Sequence, residues 1–152
     1  MCINYHTQKD LAQKLVVDLT RQGVKAIAVQ ADVSQEHQVV GLFNTIDKQL
    51  GPLTGLVNNA GMLRPQMLVE QMDAQRINQL LSTNVTSYFL CCKEAIKRMA
   101  LKHGGQGGAI VNVSSAAARL GSAFEYVDYA ASKGAIDTLT RGLSIEVAKE
   151  AI

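Results

Sequence analysis

The sequence predicts an α/β fold in which helices cover a parallel sheet. Short apolar runs bounded by turn residues alternate with longer segments whose apolar residues repeat at helical spacing. Strands joined through helices of this length need right-handed crossovers, so they run parallel, with helices on both faces of the sheet. A length of 152 residues without an internal repeat or linker predicts one domain over 1–152. We classify the fold as a doubly wound parallel sheet.

The elements follow one another in strand–helix order. The first helix has leucines at every fourth position and stops at Gly23. Ser34 is placed to cap the second helix, which Gly51 and Pro52 close. The segment 72–103 is one long helix or two abutting helices. The predicted strands cover 2–5, 25–31, 53–58 and 109–114, and the predicted helices cover 9–22, 35–50, 72–103 and 128–148.

Composition and charge exclude several classes of protein. A hydrophobic content of 47% with 18% charged residues is typical of a globular protein, and a net charge of +2 is too small to indicate a nucleic-acid partner. No secretory signal and no membrane-spanning apolar run is recognisable, so we expect a cytoplasmic protein. The three cysteines have no metal-ligand spacing and the three histidines are scattered, so no metal site is expected.

The glycine-rich segment 104–108 has the composition of a phosphate-binding loop. It follows a predicted helix and precedes a predicted strand, which reverses the order that aims backbone amides at a phosphate. We therefore interpret it as a flexible helix-to-strand connection.

Tyr129 and Lys133 are the most informative residues of the chain. In a helix, residues four apart lie on one face. An ammonium about 4 Å from a phenolate stabilises it by around 4 kcal/mol at an effective dielectric constant of about 20, which makes the phenol a usable acid or base. Ser114 and Ser115 stand at the end of the preceding apolar run. The spacing also arises by chance, with an exposed Tyr and Lys as the alternative, so neighbouring motifs must decide.

Polar residues follow several predicted strands. In open parallel sheets, ligands bind beyond the carboxyl ends of the strands, and Asp32, Asn59 and Ser114–Ser115 all fall there. Ala60 and Gly61 have little or no side chain, which suits close approach of backbone to a ligand. A turn residue that bonds its own backbone is the alternative for Asn59.

Four segments together resemble a known family. They are Val-Asn-Asn-Ala-Gly at 57–61, Ser-Thr-Asn-Val at 82–85, the strand ending in Ser-Ser at 108–115, and Tyr-Ala-Ala-Ser-Lys at 129–133. Their order and spacing resemble the compact, single-domain branch of the short-chain dehydrogenase/reductase family. The resemblance runs from Cys2 to Ile152. It implies a Rossmann-like fold and hydride transfer between NAD or NADP and a small-molecule alcohol or carbonyl substrate.

The resemblance also implies roles for the matching residues. Ser115 polarises the substrate oxygen, with Ser114 as the alternative if the register differs by one. Tyr129 exchanges the proton, while Lys133 holds the nicotinamide ribose and makes the phenol more acidic. Asn84 helps to hold water that relays protons to the lysine, and a solvent-facing Asn is the alternative.

Cofactor contacts are implied at the ends of two strands. Asp32 and Val33 are expected beside the adenine, and Asn59, Ala60 and Gly61 beside the adenosine ribose. NADP is favoured over NAD because the segment 4–7 offers no acidic residue for the ribose 2′-hydroxyl, and Lys9 is a candidate phosphate partner. Arg64 is interpreted as a solvated loop residue, with a substrate contact as the alternative.

The last helix has two kinds of surface. A predicted core stripe consists of Ile136, Leu139, Leu143 and Val147. Small residues, among them Gly134 and Gly142, let another helix approach closely. Relatives pair this helix and the preceding long helix across subunits, so we expect a homo-oligomer, with packing inside the subunit as the alternative.

Two parts of the family pattern are absent from this sequence. They are the first strand with its glycine-rich turn, and the C-terminal strands. The resemblance places that first strand between the strands at 2–5 and 53–58, and its loss removes roughly 6 to 12 kcal/mol of apolar burial. We expect the chain to fold poorly, to pair those two strands directly, or to take the strand from another polypeptide. A catalytically inactive fragment is therefore the alternative function, and an epimerase or dehydratase a third.

Overall fold

The computed structural model describes residues 1–152 and confirms the alternation of strands and helices. The strands are β1 (Cys2–Tyr5), β2 (Ile27–Gln30), β3 (Gly55–Asn58) and β4 (Ala109–Asn112). The helices are α1 (Lys9–Arg21), α2 (Glu36–Leu50), α3 (Ala74–Leu81), α4 (Ser87–Met99), α5 (Ala117–Leu120) and α6 (Val127–Glu146). No helix is both long enough and apolar enough to cross a membrane.

The strands form two separate parallel pairs. β1 pairs with β2 from Cys2↔Ile27, and β3 pairs with β4 from Gly55↔Ala109. No ladder joins the two pairs, so direct pairing of β1 with β3, one of the three expected outcomes, does not occur. The fold is Rossmann-like, with a parallel sheet interrupted between its two halves.

The main core lies between α2, α4 and one face of the strands. Its eight buried residues come from the end of β2 and from the two helices: Ala31, Val39, Leu42, Phe43, Ile46, Cys91, Ala95 and Met99. Leu56 of β3 and Ile110 of β4 pack against this cluster. The next residues along these strands, Val57 and Val111, point to the opposite face and are 65% and 52% exposed. Helices therefore cover one face of the β3–β4 pair, although the sequence predicted cover on both.

Two predicted apolar stripes are arranged differently in the structure. Leu11 and Leu15 of α1 are exposed, and Ala12 is the buried residue of that helix. In α6, Ile136 is buried as expected, whereas Leu139 and Leu143 are only half-buried and line a groove against α4. Periodicity identifies an apolar face, but which neighbour covers it depends on tertiary packing.

The segment predicted as one long helix or two is divided by a π-helical turn. α3 begins after Asp73, whose carboxylate accepts the Arg76 N–H at 2.7 Å as an N-cap. Residues Ser82–Thr86 form the π turn, and α4 follows without a break. The predicted cap of α2 is wrong: Gln35 occupies the N-cap position without a side-chain capping bond, and the Ser34 hydroxyl and N–H donate to Asp32 instead.

The glycine-rich segment joins α4 to β4, as predicted, but it is closely packed. Gly107 has a φ of +79°, and a side chain on Gly105 would overlap the carbonyl oxygen of Met99. At Gly108 a Cβ would lie 2.5 Å from the carbonyl oxygen of Thr54, just before β3. These glycines serve close backbone packing.

The adjacent cysteines serve packing. Cys91 and Cys92 are buried and free of disulfides. Burial raises the pKa of the Cys91 thiol to about 12 and that of Cys92 to about 11, so both are protonated and unreactive at neutral pH.

Candidate active site

The carboxyl ends of β3 and β4 bring two predicted site segments together. Asn58 and Asn112 end their strands in register, and the Asn58 side chain donates to that of Asn112 at 2.9 Å. The loop at 59–61 and the serines at 114–115 continue from these ends. Parallel pairing therefore places both segments at one edge of the sheet, where ligands of such folds bind.

Lys133 is the buried centre of this site. The residue is 3% exposed, and its ammonium donates to the carbonyl oxygen of Val113 at 2.7 Å and to the Tyr88 hydroxyl at 3.4 Å. Burial lowers the pKa of Lys133 from its ordinary value, and nearby Asp137 offsets this only in part. The ammonium is thus held by neutral oxygens, with one N–H left for a further partner.

Tyr129 and Lys133 lie on one face of α6, as their spacing predicted. The Lys133 Nζ atom is 5.8 Å from the centroid of the Tyr129 ring, within the range of a cation–π contact. Tyr129 is half-buried, so its ring packs at the edge of the site without being closed off from solvent. The alternative of two independent exposed side chains is wrong.

The two serines have different surroundings. The Ser114 hydroxyl donates to the backbone carbonyl of Lys133 at 3.3 Å, which anchors α6. The Ser115 Oγ atom accepts the Ala117 N–H at 3.2 Å, so its own proton has no acceptor within the chain. Ser115 is therefore the serine that has a hydroxyl to donate.

Asn84 lies in the π turn and is completely buried. Its carbonyl oxygen accepts the Met62 N–H at 2.7 Å, and its amide donates to the Met62 carbonyl at 3.0 Å and to the Ser132 hydroxyl at 3.1 Å. The side chain thus joins the loop after β3 to α6. The alternative of a solvent-facing Asn is wrong, and a π turn at this position is typical of functional sites.

The loop after β3 passes close to the lysine. Asn59, Ala60 and Gly61 are exposed. A Cβ on Gly61 would lie 3.6 Å from the Asn84 side-chain oxygen and 3.8 Å from the Lys133 Nζ atom. Gly61 therefore leaves the space above the ammonium open.

Asp32 and Val33 follow β2 and belong to the other strand pair. The Asp32 carboxylate accepts the Ser34 N–H at 3.0 Å and the Ser34 hydroxyl at 2.7 Å. Partial burial acts to raise the pKa of Asp32, but the Ser34 bonds and the nearby His6 outweigh it, so the pKa lies below its ordinary value. Val33 is half-buried against the core.

Two residues differ from what the sequence indicated. Arg64 is half-buried and its guanidinium bonds the side chain of Gln79, so it is not a solvated loop residue. Tyr88 was not predicted at all, yet it is 1% exposed, donates to the Val113 carbonyl at 3.1 Å and accepts from Lys133. The sequence signal that could have identified Tyr88 is its position four residues after Asn84, because residues four apart lie on one face of a helix.

The Rossmann-like fold is that of short-chain dehydrogenase structures, and comparison with known proteins supports this class. The family model described as short chain dehydrogenase matches residues 1–152. The chain belongs to the short-chain dehydrogenase/reductase family.

Individual relatives support this assignment. The chain is 61% identical over 152 residues to the uncharacterized oxidoreductase YgfF of Escherichia coli K12, covering 100% of this chain and 62% of that protein. A short-chain dehydrogenase from Burkholderia cenocepacia J2315 in complex with NADP superimposes with a TM-score of 0.90 at 28% identity, over 99% of this chain and 59% of that one. A gluconate 5-dehydrogenase from the same organism, in complex with NADP and tartrate, gives 0.87 at 25% identity, over 99% and 57%. The chain thus spans about three-fifths of the length of these relatives.

Proposed function

We propose that this chain carries the catalytic residues of an NAD(P)-dependent oxidoreductase acting on an alcohol or carbonyl group. The observation that carries the proposal is the buried Lys133 ammonium, 5.8 Å from the Tyr129 ring. A cation at this distance interacts favourably with the tyrosine ring beside it. The hydroxyl of Ser115, two residues after the Val113 carbonyl that Lys133 bonds, is free to donate.

Each residue has a distinct role in this proposal. The Ser115 hydroxyl donates a hydrogen bond to the substrate oxygen, where negative charge develops during reduction. The Tyr129 phenol gives its proton to that oxygen, or takes a proton from the alcohol in the reverse direction. Lys133 stabilises the phenolate that remains. Asn84 fixes the loop after β3 and helps to hold the water that relays protons to Lys133.

The residues present fit the ribose and adenine parts of a nicotinamide dinucleotide. The Lys133 ammonium keeps one N–H for a ribose hydroxyl, and Gly61 leaves the space beside it open. Asn59 and Ala60 are exposed next to Gly61, while Asp32 and Val33 are available to the adenine end. When bound, the nicotinamide supplies or accepts the hydride.

NADP is the preferred cofactor of this proposal. Two structural relatives are complexes with NADP. The segment 4–7 at the end of β1 provides no carboxylate for a ribose 2′-hydroxyl, and the exposed Lys9 at the start of α1 offers a positive charge for a 2′-phosphate.

Replacing Tyr129 tests the assignment, and Tyr126 provides a matched control. Tyr126 precedes α6, but the residue four positions later is Ala130 instead of a lysine. We expect Tyr129→Phe to lower turnover of reduced nicotinamide by about 10²- to 10⁴-fold while dinucleotide affinity is retained, because only the proton donor is lost. Tyr126→Phe should keep its activity. Equal turnover in the two variants would refute the role of Tyr129.

A second candidate is an inactive oligomerisation piece, and a groove between α4 and α6 favours it. The groove has a volume of about 830 Å³ and is lined by apolar and small residues, including Phe89, Leu139 and Gly142. Phe89 is 53% exposed, which favours burial against another subunit. We propose that a second copy of the chain occupies this groove, whether or not the chain is active.

Light scattering with a charged substitution tests the oligomer. Gly142→Arg places a charge in the groove and should convert the oligomer to monomer, whereas Ser144→Arg, on the same helix outside the groove, should not. A monomeric unmodified chain would exclude the oligomer. Dinucleotide titration separates the two functions, because an inactive piece shows no change in NADPH fluorescence even at excess cofactor.

A further inference from the structure

An ion pair joins α3 to the start of α6, next to the proposed catalytic tyrosine. The Arg76 Nε atom donates to the Asp128 Oδ2 atom at 2.8 Å, and the two side chains are only 11% and 4% exposed. Desolvating two charges is costly, so a pair this buried is weak evidence for stability and is better explained by fixing one arrangement of the chain. The proposed chemistry assigns no role to either residue.

The Asp128 carboxylate bonds a different partner with each oxygen. Oδ2 accepts from Arg76, while Oδ1 accepts the backbone N–H of Tyr129 at 2.9 Å. Tyr129 is the third residue of α6, where backbone N–H groups have no partner inside the helix. The carboxylate supplies that partner, and a negative charge at a helix N-terminus is itself favourable. Arg76 thus acts on the backbone of Tyr129 through a single residue.

The other end of the guanidinium fixes the loop after β3. The Arg76 Nη2 atom donates to the Pro65 carbonyl at 2.9 Å. A second bond runs in parallel, from the Met67 N–H to the Glu125 carbonyl at 3.2 Å. A planar guanidinium can bond two differently placed oxygens at once, which an ammonium does less well. Arg76 therefore connects the loop that continues from Gly61 with the helix that carries Tyr129 and Lys133.

We propose that Arg76 is a positioning residue, which acts through Asp128 to fix Tyr129 relative to the loop after β3. It contacts neither the substrate nor the cofactor in this scheme. The structural part of the inference stands on the contacts alone, and its consequence for rate rests on the proposed function. Displacing a reacting group by about 1 Å costs up to about 100-fold in rate, so the pair is expected to affect turnover more than binding.

Nuclear magnetic resonance of labelled tyrosine rings tests the positioning without any substrate. The chain has four tyrosines, so the Tyr129 signal is assigned by its loss in Tyr129→Phe. We expect that signal to shift or broaden in Arg76→Met and in Asp128→Asn, which keeps the shape of the carboxylate but removes its charge. Arg76→Lys should give an intermediate spectrum. The control is Asp47→Asn, which breaks the 2.9 Å pair between Asp47 and Arg98 on α2 and α4 and should leave the signal unchanged.

An unchanged Tyr129 signal in Arg76→Met, with the variant folded, would overturn the proposal. If Arg76→Met does not fold, Asp128→Asn and Arg76→Lys are compared with Asp47→Asn instead. An unchanged Tyr129 signal in both Asp128→Asn and Arg76→Lys would then overturn the proposal. A signal that changes as much in Asp47→Asn also overturns it, because the effect is then not specific to this pair.

Kinetics separate this inference from the proposed function. Arg76→Met is expected to lower kcat by about 10- to 100-fold with little change in the KM for NADPH. If Tyr129→Phe is inactive and Arg76→Met has normal kcat, the positioning role fails and the oxidoreductase assignment stands. If Tyr129→Phe is active, the assignment fails, and the ring spectra alone decide the structural role of Arg76.

Discussion

Replacing Asn84 with alanine removes the side chain that joins the loop after β3 to the π turn and to α6. The amide makes two hydrogen bonds with the Met62 backbone and one with Ser132, and Asn84 is 0% exposed. The substitution leaves the N–H and carbonyl of Met62 without these partners, and each stranded buried group costs about 1 to 3 kcal/mol. Met62 is half-buried, so water recovers part of this cost. We therefore expect Asn84→Ala to lower the free energy of unfolding by about 2 to 4 kcal/mol.

Urea unfolding and thermal unfolding, both followed by circular dichroism, measure this loss. In a chain of this size, 1 kcal/mol corresponds to about 2 to 4 °C in melting temperature, so the expected decrease is roughly 4 to 16 °C. Asn78→Ala is the matched control, because Asn78 is exposed in α3 and makes no side-chain hydrogen bond. Its stability should stay within about 0.5 kcal/mol of the unmodified chain.

The reasoning about Asn84 is refuted if both asparagine variants unfold at the same urea concentration. That result would mean that the three bonds are replaced by water at no cost. Asn84→Asp provides a second check, because its carboxylate keeps the acceptor for the Met62 N–H but places an oxygen against the Met62 carbonyl. We expect it to be destabilised as well, and a stable Asn84→Asp would contradict the geometry of the amide.

Four further substitutions test individual contacts. Lys133→Met should raise stability at neutral pH, because burial lowers the pKa of the folded-state ammonium below 10.5. In unfolding measured against pH, the difference in stability between the two chains should shrink as pH rises through that folded-state pKa. The reason is that the unfolded chain binds the proton more tightly than the folded chain in that window. Tyr88→Phe removes a hydroxyl that makes two hydrogen bonds and should cost about 0.5 to 1.5 kcal/mol in urea unfolding, and an unchanged midpoint would argue against both bonds. Gly105→Ala forces a side chain against the Met99 carbonyl and should destabilise by about 1 to 3 kcal/mol. Gly41→Ala, in α2, meets open space and should stabilise by up to about 1 kcal/mol, so the reverse order of melting temperatures would contradict the packing.

The order of elements was predictable because it depends on local periodicity, whereas the packing of α1 was not. The leucine spacing correctly indicated a helix, and Gly23 stops it with a φ of +83°. The same spacing cannot say which element lies against the leucines. In the structure Leu11 is 64% exposed and Ala12 is buried, since the contacts of α1 are with β1 and β2.

In the candidate site, too, some contacts follow from local spacing in the sequence and others arise only from tertiary packing. Tyr129 and Lys133 meet because one turn of a helix separates them, and the spacing alone fixes that relation. Tyr88 lies 45 residues from Lys133 and Arg76 lies 52 residues from Asp128, so no local pattern connects either pair. Their contacts arise only when α3, α4 and α6 pack together.

The interrupted sheet separates the two halves of the proposed site without disturbing the catalytic half. Asn58 bonds Asn112, whose amide donates to Thr140 of α6 at 3.0 Å, so the β3–β4 pair is tied to the helix that carries Tyr129 and Lys133. Asp32 follows β2 on the other pair, which shares no ladder with β3 or β4. The arrangement of the proposed proton donor and the ammonium therefore depends on β3 and β4, on the π turn, and on helices α3, α4 and α6. Binding at the adenine end depends in addition on how the two strand pairs are held together, so dinucleotide affinity should be the property most sensitive to the interruption, with the geometry around Lys133 the least sensitive.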